Sequence, residues 1–145
     1  MSVEQNVAAF QRFIEVGLNQ KNLLSISGEL LAPDLVLEAP GIPTEAGKTD
    51  GKHLFEQSVI AFVEAFPDVK AYGKFVVAEG DTVSVDLPYE GTHKKEFAGV
   101  AATNVYIHGA ELWFVEYENG KFKNVRICEY GTPLRSALLA VPVHP

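Results

Sequence analysis

The sequence predicts an α+β fold: helices on one face of a highly curved, mixed, mostly antiparallel β-sheet that encloses a pocket. Three observations predict it. Apolar residues recur at helical spacing only before Pro67 and in a short C-terminal stretch. From Val69 onward, strand-like segments succeed one another, separated by Gly, Asp or Asn turn signals. One early strand, "DLVLEAP", interrupts the helices. Such an order segregates helices to one side of a sheet. A strongly twisted sheet curling round a long helix makes a cone, and its open end is a pocket lined by inward strand residues.

The elements follow in order. Ser2 suits an N-cap, with Gln5 as capping-box partner, and Val3, Val7, Phe10, Ile14 and Leu18 form one apolar stripe. A second short helix is predicted over "NLLSISGELLA", ending before Pro33. The strand "DLVLEAP" stops at Pro40. "GIPTEAGKTDG" reads as a loop, long enough for a lid or rim. Thr49 or Asp50 then starts a helix whose stripe is Phe55, Val59, Phe62 and Phe66, ended by Pro67. Five strand segments follow: "VKAYGKFVVAEG", "DTVSVDLPYEGTH", "EFAGVAATNVYIH", "AELWFVEYENG" and "KFKNVRICEY". Gly80-Asp81 and Asn119-Gly120 read as tight hairpin turns, and Pro88 implies an edge or bulge. A last helix over "TPLRSALLA" takes Thr132 as cap and Pro133 in its first turn.

The 145 residues fit one domain, 1–145, with no repeat or linker. A net charge of −7 argues against nucleic acid, whose phosphates call for Lys and Arg. The pairs Lys94-Lys95 and Lys121 with Lys123 read as solvated strand faces. No apolar run is long enough to span a membrane, and no signal peptide is legible, so a cytoplasmic location is expected. The single cysteine, Cys128, forbids an internal disulfide and reads as a buried small hydrophobe.

"FPDV" after a long helix, then "AEGDTVSV", "YEGTHKKEFAGV" and "ENGKF", occur in an order that resembles the SnoaL-like polyketide cyclases of the NTF2-like superfamily. The resemblance covers roughly residues 5 to 140. It implies a cone-shaped fold, a homodimer, a deep apolar pocket for a small apolar, polyketide-like substrate, and ring closure without metal or cofactor. It also implies a carboxylate near the end of the last strand that takes a proton alpha to a carbonyl, its pKa tuned by the apolar setting. Aligning the "NGK" turn on the family's "DGK" puts that acid at Tyr130, a poor base near neutral pH, with Glu129 beside it.

Successive strand residues face opposite sides. If Val125, Ile127 and Glu129 face inward, Glu129 is a carboxyl at an apolar rim. If Arg126, Cys128 and Tyr130 face inward, Arg126 and Tyr130 offer a cation and a phenol to a carbonyl oxygen. A regular Asn119-Gly120 turn puts Glu118 opposite Lys121 and Glu116 opposite Lys123, so Glu116 shares the face of Glu129 and is the nearest match to the family's assisting polar residue. His93, in "GTH", matches the family motif and can polarise a carbonyl. Glu38 falls where the family places a residue at the cone mouth. Trp113, Phe114, Val115, Tyr117, Phe62, Tyr89 and Phe97 are the candidate substrate-binding residues. His53 reads as a surface residue, and His108 and His144 carry no role.

The expected activity is a cofactor-independent cyclase that works by folding its substrate and polarising a carbonyl, through aldol, conjugate-addition or [4+2]-type closure. Orientation alone can supply about 7–11 kcal/mol in well-fixed systems. Two rival readings stand beside it: a dehydratase or isomerase with Glu38 or Glu129 as base, and a non-catalytic ligand-binding or assembly domain.

Overall fold

Ser2 and Gln5 form the predicted capping box. The Gln5 backbone N–H donates to Ser2 Oγ at 3.1 Å, and the Ser2 N–H donates to Gln5 Oε1 at 2.9 Å. The computed structural model describes residues 2–142, so His144 lies outside the described residues. Helix α1 (Val3–Arg12) continues into a π-helical segment, Phe13–Asn19. Phe10, Ile14 and Leu18 of the predicted stripe are buried, joined by Phe13, while Val3 and Val7 are half-buried.

The second helix is shorter than predicted. It divides into a 3₁₀ turn, Leu23–Ser25, and one α turn, α2 (Ser27–Leu30). Strand β1 (Leu31–Glu38) therefore starts earlier and runs through Pro33. It lies at the edge of the sheet, where a proline removes no needed ladder bond. The segment predicted as a loop contains helix α3 (Thr44–Thr49). Its glycine has a packing reason: a Cβ on Gly47 would sit 2.0 Å from the Leu37 carbonyl oxygen. Glycine lets α3 press directly on the β1 backbone. Helix α4 (Gly51–Ala65) then buries Phe55, Val59 and Val63, and Phe66 at its C-cap is buried too.

Strands β2 (Lys70–Ala71), β3 (Lys74–Glu79), β4 (Thr82–Thr92), β5 (Tyr106–Glu118) and β6 (Lys121–Glu129) complete a six-stranded mixed sheet. The order is β1-β6-β5-β4-β2, with β3 also on β4; only β1–β6 is parallel. Pro88 faces the break between β2 and β3, where its carbonyl accepts from Tyr72 N at 2.9 Å. "EFAGVAATNVYIH" is not one strand. Phe97 and Val100 exchange both backbone bonds round Ala98-Gly99, whose φ values are 49° and 81°, and regular pairing resumes only at Tyr106. Helix α5 (Leu134–Leu139) has Pro133 rather than Thr132 at its cap position.

The β5–β6 register corrects the predicted one. Glu118 pairs with Lys121 and Tyr117 with Phe122, but Glu116 pairs with Asn124. Lys123 is an extra residue, a β-bulge, and its ammonium pairs with Asp34 on β1. Beyond the bulge Trp113 opposes Ile127 and Val115 opposes Val125, so neither lies beside Arg126, Cys128 or Tyr130. Cys128 is exposed, not buried, because it falls on the outer face. Beneath the inner face, Phe10, Phe13, Phe55, Trp113 and Phe122 meet mostly edge to face, the aromatic arrangement ring quadrupoles favour. Among the described residues no helix is long and apolar enough to cross a membrane.

Candidate active site

The cone encloses a cavity of about 260 Å³. Leu18, Phe55 and Trp113 belong to its wall on the core side; Val59 and Phe62 of α4, Leu87 and Tyr89 of β4 and Ile127 of β6 continue it. Residues 39–41, Phe97-Ala98 and Leu134-Arg135 come from the connecting segments and α5, and frame the open end. Most of this lining is apolar. Two carboxylates stand out, Glu111 and Glu129.

They are direct cross-strand partners on β5 and β6. Opposed side chains in such a pair are neighbours, with Cβ atoms about 4.5–5.5 Å apart. Glu129 Oε2 accepts from the Leu134 backbone N–H at 2.6 Å, tying the end of β6 to the first turn of α5. Glu111 Oε1 accepts from Trp113 Nε1 at 3.1 Å. Burial pushes the Glu111 carboxyl up to about 7; the Trp113 bond opposes the shift and the charge of Glu129 adds to it. Tyr89 is also buried, and burial together with the charges of Glu111 and Glu129 raises its phenol far above the ordinary value. It stays a protonated donor. Its ring lies over Gly109, its cross-strand partner on β5.

The other predicted residues are distributed differently. Trp113, Phe62, Tyr89 and Phe97 line the cavity. Val115 is buried away from it, and Tyr117 is buried with its hydroxyl donating to the Asn6 carbonyl at 2.8 Å. Phe114 is exposed on the outer face. That same face carries Glu116, Arg126 and Glu38, the last two joined by a 3.1 Å ion pair, round a second, shallow concavity. Tyr130 is exposed too and donates to Asp86 Oδ1 at 2.6 Å. The pleat turns Glu129 inward and so turns Tyr130 out. Glu116 therefore does not share the face of Glu129, as a bulge-free register requires.

His93 is fully buried but outside the cavity lining. Its ring stacks on Phe66 at 5.4 Å, and its Nδ1 accepts from the Thr103 N–H at 3.1 Å. Burial lowers its pKa, which favours the neutral ring. It braces the segment from β4 to β5. Glu111 and Arg135 are the charged lining residues sequence reasoning missed. A signal for Glu111 exists: residues 111, 113, 115 and 117 share one strand face, and a carboxylate on that apolar face stands out. Among the described residues no group of three or more His, Cys, Asp or Glu side chains is placed to hold a metal ion.

The chain is similar in fold to several solved structures. AclR from Streptomyces galilaeus aligns over 99% of this chain and 91% of its own, with 22% identity and a TM-score of 0.77. IdmH from Streptomyces antibioticus aligns over 94% and 99%, with 25% identity and a TM-score of 0.72. A SnoaL-like polyketide cyclase from Agrobacterium tumefaciens aligns over 92% and 97%, with 14% identity and a TM-score of 0.73. No curated protein matches the sequence. The family profile for SnoaL-like polyketide cyclase matches residues 8–136, nearly the whole chain. With the cone, the apolar cavity and the inward carboxylates, that match places the chain in its family: it belongs to the SnoaL-like polyketide cyclases.

Proposed function

We propose that this protein is a cofactor-independent cyclase that closes a ring in a polyketide-like intermediate by acid–base chemistry, with Glu129 as base and Glu111 as acid. The observation that carries the reading is the convergence of two carboxylates, directly opposed, inside an apolar cavity. A pair whose surroundings hold one member protonated near neutral pH is the arrangement acid–base work calls for. Glu129 takes the proton alpha to a carbonyl. The released electron pair forms the new carbon–carbon bond to a second carbonyl carbon. The Glu111 carboxyl gives its proton to the oxygen on which charge develops, and the Tyr89 phenol donates a hydrogen bond there. The proton on Glu129 then returns to Glu111, directly or through water, and the pair is restored.

This division favours acid–base closure over a closure driven by shape alone with Tyr130 as polariser, because Tyr130 faces away from the cavity. The apolar wall still contributes by fixing the reactive pose. A dehydratase or isomerase would use Glu129 in the same way, but Glu38 on the outer face is no longer a candidate base for it. Product mass separates dehydration from simple ring closure.

The test is turnover of the pathway intermediate by Glu111→Gln and Glu129→Gln. Each is expected to lose at least about tenfold, roughly 1.4 kcal/mol of barrier. Wild-type turnover in both variants overturns the reading and leaves a ligand carrier or a shape-driven catalyst.

A further inference from the structure

Among the described residues, the lining of the cavity contains one cation. Arg135, on α5, reaches the open end and donates through Nε to the Ala98 carbonyl at 2.9 Å. That bond holds the guanidinium across the opening, between α5 and the Phe97–Val100 turn. The Nη groups have no protein partner among the described residues. An arginine held by Nε and free at both Nη atoms presents a ready fork for a planar anion. The neighbouring residue, Leu134, is the one that holds Glu129. The cation and the proposed base therefore stand at the same end of the cavity, while the wall around Leu18, Phe55 and Trp113 is apolar.

We infer that Arg135 selects the substrate by charge: the cavity takes a free carboxylic acid, its carboxylate on the Arg135 fork and its hydrocarbon end against the apolar wall. The carboxylate is assigned to the substrate because no described residue of the protein pairs with this fork. A single charge matches a single cation, so a carboxylate fits better than a phosphate dianion. Ion-paired at the opening, it is shielded from Glu129, and the carbons next to it come within reach of the two glutamates. Ring closure then occurs near the acidic end of the chain. A neutral ester would lose the fork. The inference rests on the cavity being the substrate site, as proposed above, and adds which end enters last.

The experiment reads binding rather than turnover. Trp113 is the only tryptophan and lines the cavity, so its fluorescence reports occupancy directly. The probes are a short series of cyclohexyl-substituted alkanoic acids and their methyl esters, titrated at pH 8. The acids are expected to bind at least about fivefold more tightly than their esters at low salt, with the preference shrinking as salt screens the pair. Arg135→Gln should abolish the preference while leaving ester affinity within about twofold; Arg135→Lys should keep part of it. Arg135 is exposed, so both variants are expected to fold. Equal binding of acids and esters by the wild-type protein, no binding of any acid, or a preference that survives in Arg135→Gln overturns the inference. Loss of turnover in Glu111→Gln together with failure here removes the charge selection and leaves the chemistry. The reverse outcome removes the chemistry and leaves the selection.

Discussion

Glu111 costs the protein stability at neutral pH and above. Its carboxyl titrates near 7 in the fold because burial disfavours the charged form. The native state thus keeps a proton that the unfolded chain releases near the ordinary glutamate value. For such a group the sign runs against alkali: its contribution is intact below about pH 4.5, is lost as pH rises towards 7, and is flat above. Glu111→Gln removes the group. At pH 8 the variant is expected to be more stable than wild type by on the order of 3 kcal/mol, and at pH 4 no more stable, as measured by urea denaturation at both values. The same titration is expected to govern activity. If the protonated Glu111 carboxyl is the acid, kcat/KM falls as pH passes about 7, and a profile flat from pH 6 to 8 argues against that role. Of the residues read from sequence, Glu129 was legible as an apolar-set carboxyl at the end of its strand. Its partner was not, because a predicted register paired Glu116 with the wrong side.

At the scale of elements, the strands were legible from their alternation and turns, but the bulge at Lys123 was not. Nothing in "KFKNVRICEY" marks which residue will be looped out; the looped-out Lys123 pairs with Asp34 on the neighbouring strand. A long-range contact of that kind has no local signature. Helix α3 was missed for a related reason: its glycine and threonines read as loop, while the glycine serves close approach to β1. Strands β4 and β5 hold a comparable constraint inside the site. A Cβ on Gly109 would lie 2.4 Å from the Tyr89 hydroxyl oxygen and from Cζ. Gly109→Ala must push the Tyr89 ring off the sheet, and is expected to cost about 1–3 kcal/mol by overpacking. In a Tyr89→Leu background the cost should largely vanish; an additive double mutant would show that the ring is not the obstacle.

For the whole molecule, the cone, its helix order and its family were legible from the order of motifs, because most of the helical periodicity precedes Pro67 and most of the strand periodicity follows it. What the chain leaves uncovered is the outer face of the sheet, where Phe114 and Tyr130 are 44% and 45% exposed beside the Glu38–Arg126 pair. We expect this face to meet its counterpart on a second copy, the self-complementary contact of a two-fold dimer. Sedimentation velocity at micromolar concentration should give a dimer, and Phe114→Glu a monomer with an unchanged circular dichroism spectrum; a wild-type monomer removes the assembly. The Lys123 bulge then acquires a wider meaning. It is one residue of strand length, yet it sets which side of the last strand faces the cavity and which faces outward. If Lys123 stayed in a regular ladder instead of looping out, every side chain beyond it would exchange faces: Arg126, Cys128 and Tyr130 would enter the chamber, and both glutamates' alignment would be lost. A one-residue slip of register would exchange cavity face and outer face together, so register here is as constrained as chemistry.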